Sequence, residues 1–166
     1  DDEWGIPQHN DQKLFEMLTL EGAQAGLSWA TILSRRESYR KAFKNFNVNL
    51  ISKFNNEDID QLMKDKGIIR NHLKIKSTIS NSKAFIKVQR EFHSFNNYIW
   101  SFTNKKTITN NFNKLNEVPA ETALSNEISN DLKKRGFTFV GPTITYAFMQ
   151  SIGIVNDHLS SCFCKK

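Results

Sequence analysis

The chain has 166 residues, 39% of them hydrophobic, and a formal net charge of +6 from 23 basic and 17 acidic side chains. That length suits one domain around one core, no apolar run approaches the roughly 18 to 20 residues of a membrane helix, and the acidic opening Asp1-Asp2-Glu3 is the wrong charge for a secretory signal. The basic excess suits a polyanionic partner through counterion release, while the neighbouring thiols Cys162 and Cys164 make no disulfide framework and point to a reducing cytoplasm.

Helical periodicity runs through nearly all of the chain. Asp11 reads as the cap of a first helix starting near Gln12, with Leu14, Phe15 and Leu18 at helical spacing. A second helix is expected over Ser28 to Ala42, with Trp29, Ile32 and Leu33 on one face and Arg35, Arg36, Arg40 and Lys41 on another. Asn56-Glu57-Asp58 opens a short third helix that ends near Lys66-Gly67, where glycine would supply a left-handed stop. Further helices are expected from Asn71 to Glu91 and from Phe95 to Thr103. Asn104 to Pro119, rich in Asn, Lys and Thr, reads as a long surface loop. Ser125 to Arg135 and Pro142 to Ser151 form the last helical pair, so the fold class is an all-α, single-domain helix bundle. The first residue is not Met, and a native N-terminal segment is therefore expected upstream.

The connector of the last pair carries a first functional signal. It reads Lys133-Lys134-Arg135-Gly136-Phe137-Thr138-Phe139-Val140-Gly141-Pro142-Thr143, two glycines around a tight turn and a proline at the first position of a helix. Backbone amides at such a helix start have no intrahelical partner and can hold a phosphate. This is the layout of a helix-hairpin-helix, which grips a DNA backbone without reading sequence; taken alone it favours an ordinary helical hairpin with a glycine cap. Lys74, Lys76, Lys133, Lys134 and Arg135 are candidate phosphate contacts or a solvated charged face. His9, His72 and His93 are scattered and need no function.

Several blocks in register change the reading. Glu3-Trp4-Gly5, the run from Leu20-Glu21-Gly22 to Leu27-Ser28-Trp29, Gly67-Ile68-Ile69-Arg70 and Ile99-Trp100-Ser101-Phe102 are followed by Lys134-Arg135-Gly136-Phe137, Phe139-Val140-Gly141 and Val155-Asn156-Asp157-His158. In this order, and over nearly the whole chain, they resemble the 3-methyladenine DNA glycosylase I family of the helix-hairpin-helix glycosylases. The resemblance implies an enzyme that removes 3-methyladenine from alkylated double-stranded DNA, with Glu21 hydrogen-bonding the extruded base, Trp29 stacking on it and Trp4 as a second aromatic wall. It implies a hairpin in which Gly136, Phe139, Gly141, Thr143, Lys134 and Arg135 meet DNA, and a monomer that releases the free base as product. The chemistry agrees: methylation at N3 makes adenine cationic and a good leaving group, so selective capture by an aromatic face and a carboxylate matters more than acid–base power. The base must leave the stack to be reached, and Leu27, at the turn between Glu21 and Trp29, is either the apolar wedge that fills the gap or a core residue.

Two absences bear on mechanism. Bifunctional relatives carry a Schiff-base Lys just inside the second hairpin helix, where this chain has Gly141-Pro142-Thr143-Ile144. Many of these glycosylases carry a catalytic Asp in a Val-Asp-x-His element, where this chain has Asn156, with Asp157 one position late. Monofunctional hydrolysis is expected. The family also closes its termini with a structural zinc, which implies His158 and Cys162 as two of the ligands, the other two lying in the N-terminal segment. The reading from another class is a non-catalytic helix-hairpin-helix module that only binds DNA.

Overall fold

The computed structural model describes residues 5–112 and 114–157. Its centre is α1 (Asp11–Gln24), in which every residue from Leu14 to Ala23 is buried. Such all-round burial marks a helix enclosed by neighbours rather than one lying on a surface. It packs against α2 (Trp29–Ser34), α6 (His72–Phe92), α7 (Phe95–Ser101) and α9 (Pro142–Ser151). α3 (Arg36–Ala42) follows α2, and a 3-10 turn (Lys44–Phe46) with the short α4 (Val48–Ile51) and α5 (Asn56–Lys64) brings the chain onto α6. α8 (Ala123–Lys134) and α9 form the closing helical hairpin. Aromatic side chains dominate the core, with Phe85 stacked on Phe95 at 4.4 Å and Phe15 edge-on to Phe85 at 5.1 Å.

The all-α reading holds, and four local expectations are corrected. Asn10, not Asp11, caps α1, its side chain accepting from the Lys13 N–H at 3.0 Å. Asp11 instead caps another helix: its carboxylate accepts from the N–H groups of Phe95 and Asn96 at 2.9 and 2.8 Å, the first amides of α7. The helix expected over Ser28 to Ala42 breaks at Arg35 into α2 and α3, each a short segment. The third helix stops at Lys64, and Gly67 is not left-handed. What requires glycine there is packing, because a Cβ at Gly67 would lie 2.6 Å from the Ser38 side chain.

The stretch expected to be only loop, Asn104 to Pro119, contains β1 (Ile108–Thr109), paired in parallel with β2 (Val155–Asn156) after α9. It also holds a 3-10 turn at Leu115–Glu117. Near the other end, residues 5–8 form a strap across the end of α9, with the Gly5 and Gln8 amides donating to Ser151 and Ile152. Trp100 donates its indole N–H to the Gln8 carbonyl at 2.9 Å, and His9 packs on the Trp100 ring. Among the described residues no helix is long and apolar enough to cross a membrane.

Candidate active site

Glu21 sits in the last full turn of α1 and is only 2% exposed. Among the described residues its Oε1 is the one buried side-chain polar atom that lacks a hydrogen-bond partner. Native proteins rarely tolerate such an atom, because burying an unpaired carboxyl costs several times what an ordinary hydrogen bond returns. Burial alone pushes the Glu21 carboxyl up to about 8. With no cation beside it the group is therefore mostly neutral at pH 7, and a cation placed against it would draw it toward the carboxylate form. The other buried acid of α1, Glu16, makes the contrast plain. Its Oε2 accepts from Arg36 at 2.6 Å and from Arg40 at 2.9 Å, which anchors α1 to α3.

The segment after α1 is a built turn. Gly26 has φ +80, a conformation that glycine adopts without penalty. The Leu27 N–H donates to the Gln24 carbonyl at 2.7 Å, and the Gln24 side chain returns a bond to the Leu27 carbonyl at 2.9 Å. Lys74, on α6, donates from Nζ to the carbonyls of Ala23 and Ala25 at 2.9 and 2.8 Å. Lys74 thus closes the carboxyl end of α1, where a cation also meets the favourable end of the helix dipole. Of the lysines read as phosphate contacts, this one is engaged inside the protein, and burial lowers its pKa. Ser28 caps α2, and Trp29 opens it, half-buried. Leu27 is half-buried as well, packed against the core at one side and reaching solvent at the other. Trp4, His158 and Cys162 lie outside the described residues; among the described ones no group of three or more His, Cys, Asp or Glu could hold a metal.

The hairpin is pinned at several points. Gly136 has φ +95 and ends α8, whereas Gly141, the cap of α9, has an ordinary φ of −59. Phe139 is left-handed at φ +55, unusual for an aromatic residue. The Val140 carbonyl accepts from Ser129 and Thr145. No side chain caps the first amides of α9, so the Thr143 end of the helix presents its N–H groups outward. Lys134 and Thr143 are exposed. Arg135 is not available in the same way. It donates to Asp131 at 2.8 Å and to Glu91 at 3.0 Å, and its guanidinium lies 4.9 Å from the Phe92 ring and 5.1 Å from the Tyr98 ring.

Asp157, one position late in its element, is fully engaged. It accepts from Tyr146, from the Asn110 side chain at 2.5 Å and from Gln150 at 3.3 Å, tying β1 to α9. A small cavity of about 20 Å³ lies on a different side of α1, between Gly22, Thr78, Asn81 and Phe139, and neither Glu21 nor Trp29 lines it. Sequence reasoning missed Asn81, whose buried amide holds the hairpin. The available signal was an asparagine in the middle of a long helix, where it is a poor former.

The described residues thus form an all-α domain with one unpaired buried acid on its central helix, followed in the chain by a glycine turn and a half-buried indole that opens the next helix. The model of the methyladenine glycosylase family matches residues 1–165, and the chain belongs to that family. It is 48% identical to the DNA-3-methyladenine glycosylase of Haemophilus influenzae, over 99% of this chain and 89% of that protein. It is 44% identical to DNA-3-methyladenine glycosylase 1 of Escherichia coli, over 99% and 88%. The solved structure of 3-methyladenine DNA glycosylase I from Staphylococcus aureus, described as the basis of 3-methyladenine recognition, superposes with a TM-score of 0.97 at 31% identity, covering 100% of this chain and 88% of that one.

Proposed function

We propose that this chain hydrolyses the N-glycosidic bond of 3-methyladenine in alkylated duplex DNA, leaving an abasic site and free base. The observation that carries the reading is the unpaired Oε1 of Glu21, buried on the central helix. An extruded 3-methyladenine would give that oxygen its missing donor, and the positive charge of the base would hold Glu21 ionised. An unmodified adenine is neutral and supplies no such charge. Capture by Glu21 therefore favours the damaged base at the step where the two differ most. Trp29, and Trp4 with it, would stack on the cationic ring. Stabilising the base as it departs is all the chemistry needs, since the alkylated purine is already a good leaving group.

The reaction is monofunctional in this reading. Position 156 is Asn where related enzymes use Asp, and Asp157 spends its oxygens on Tyr146, Asn110 and Gln150. No Lys stands at the start of α9 to attack the sugar. Water is then the nucleophile, and borohydride should trap no enzyme–DNA adduct.

On the DNA side, the helix-hairpin-helix reading of α8 and α9 rests on the outward amides at Thr143 and on Gly136, Phe139, Gly141 and Lys134 around the turn. The turn at Gly26 gives Leu27 a rigid mount as the wedge, and a monomer suffices for all of these roles. The structural zinc would draw on His158 and Cys162 and take no part in the reaction; zinc content per chain in the purified protein tests it. The same substrate places the enzyme with the chromosome, in the cytoplasm.

The deciding experiment is release of 3-methyladenine from methylated duplex DNA by wild type and by Glu21→Gln. Release by wild type with a loss of about 100-fold or more in the variant is the expected result. Binding to abasic DNA with no base release by wild type would sink the enzyme reading and leave a DNA-binding module.

A further inference from the structure

The hairpin packs directly on the base-site helix through α9, and one side chain of α6 adds a second tie at its turn. Asn81 is buried on α6, and both ends of its amide hold the same hairpin residue. Its Oδ1 accepts from the Thr138 N–H at 2.9 Å, and its Nδ2 donates to the Thr138 carbonyl at 3.0 Å. Ser77, one turn earlier, adds a 2.6 Å bond between its hydroxyl and that of Thr138. The next residue is Phe139, in its left-handed conformation, and it rests on Gly22. A Cβ at Gly22 would meet the Phe139 Cβ at 3.4 Å and the Phe139 carbonyl oxygen at 3.6 Å. Gly22 is the residue after Glu21.

We propose that Asn81 is a positioning residue for base excision: its paired hydrogen bonds to Thr138 seat Phe139 on Gly22 and so fix the height of the hairpin over the helix that carries Glu21. The proposal rests on the glycosylase reading above. A left-handed aromatic residue is held at a cost of about 1 kcal/mol or more and persists only where its neighbours over-determine it. Here the neighbours are Asn81 on one side and the Ser129 and Thr145 bonds to the Val140 carbonyl on the other. If the hairpin holds the backbone of the strand whose base is flipped, its seat decides how far the base travels toward Glu21. Geometry of that kind is worth much in rate: a misplacement of about 1 Å can cost on the order of 100-fold.

The test compares Asn81→Ala, Asn81→Asp and, as a control matched for stability, Val88→Ala, a buried residue of the same helix whose side chain belongs to the core. Three readings are taken from the full chain: single-turnover release from methylated duplex, affinity for free 3-methyladenine, and melting temperature. Asn81→Ala is expected to lower the single-turnover rate by about 10- to 100-fold while free-base affinity stays within about twofold. Val88→Ala should lose melting temperature without that loss of rate. Asn81→Asp supplies a signature that a merely structural residue would not. When neutral, its acid can accept from the Thr138 N–H and donate to the carbonyl, as the amide does; when ionised, it can only accept. Its rate relative to wild type should therefore rise as pH is lowered from 8 to 6, and this reading decides the matter even if the alanine variant fails to fold. Equal rates in Asn81→Ala and Val88→Ala, a flat pH ratio, or parallel loss of free-base affinity would each overturn the proposal. Absence of base release by wild type would instead remove the glycosylase reading beneath it.

Discussion

Glu21 and Gly153 show how much a single position can carry. Glu21 has its carboxyl raised from 4.5 to about 8 by burial, so between those values the folded protein holds a proton that the unfolded chain releases. Unfolding then sheds a proton, and stability falls as pH rises from about 5 to 8, levelling off once both states are ionised. The ionised, empty site carries a penalty on the order of a few kcal/mol. Glu21→Gln removes it, so the variant should melt higher than wild type by several degrees at pH 8.5, with the gap closing toward pH 5. A gap that stays constant across this range would show that the carboxyl does not titrate in the folded protein. Gain of stability with loss of activity at one position is what a strained binding group predicts. Gly153 is the opposite case, a residue that only structure explains. Its φ is +78, and a Cβ there would lie 2.5 Å from the Pro7 nitrogen, inside the strap that crosses the end of α9. Gly153→Ala should cost about 3 kcal/mol in urea unfolding, well above the roughly 1 kcal/mol of the backbone conformation alone. A cost near 1 kcal/mol would mean that the strap moves aside freely.

The hairpin elements divide their basic residues between two tasks that look identical in the sequence. Lys134 and Arg135 are adjacent, and the sequence offers both equally as phosphate contacts or as a solvated face. In the fold Lys134 is exposed, while Arg135 bridges Asp131 and Glu91 over two aromatic rings. Burial pushes the Asp131 carboxyl up, but bonds from Tyr98 and Arg135 outweigh it and leave the pKa lowered. Arg135→Ala should therefore lower stability by about 1 to 2 kcal/mol, from lost cation–π and ion-pair contacts together. Lys134→Ala should leave melting unchanged and weaken abasic-duplex binding. The reverse assignment, a stable Arg135→Ala with poor DNA binding, would place Arg135 on the DNA after all. The same lesson applies to element boundaries. Helices α6, α7 and α9 were legible, because apolar spacing and, for α9, Pro142 at the helix start mark them locally. The break at Arg35, the strand at Ile108 and the tie from Asp11 to the start of α7 were not: Arg35 donates to the Lys66 carbonyl at 2.8 Å, and the other two depend on partners still further along the chain.

Across the whole molecule, the acid, the indole and the hairpin could be named from sequence because the family's blocks recur in register, whereas their mutual support could not. Asn81, Lys74 and Gly153 act through contacts 57, 51 and roughly 146 residues away, and no local pattern encodes them. Charge is similar: a net +6 says that a polyanion is welcome but not where it lies. The structure narrows the choice. Lys76 and Lys83 line an open groove together with Thr138 and Phe139, so they continue the hairpin surface along α6. A duplex gripped by the hairpin would run its backbone past both. Each phosphate neutralised by a lysine adds about 0.9 to the slope of log affinity against log salt. The double variant Lys76→Gln with Lys83→Gln should therefore reduce that slope by about 2 in abasic-duplex binding, and release from already bound, saturated complex should keep its rate. An unchanged slope would turn the duplex toward another face of the molecule and leave the groove along α6 outside the DNA path.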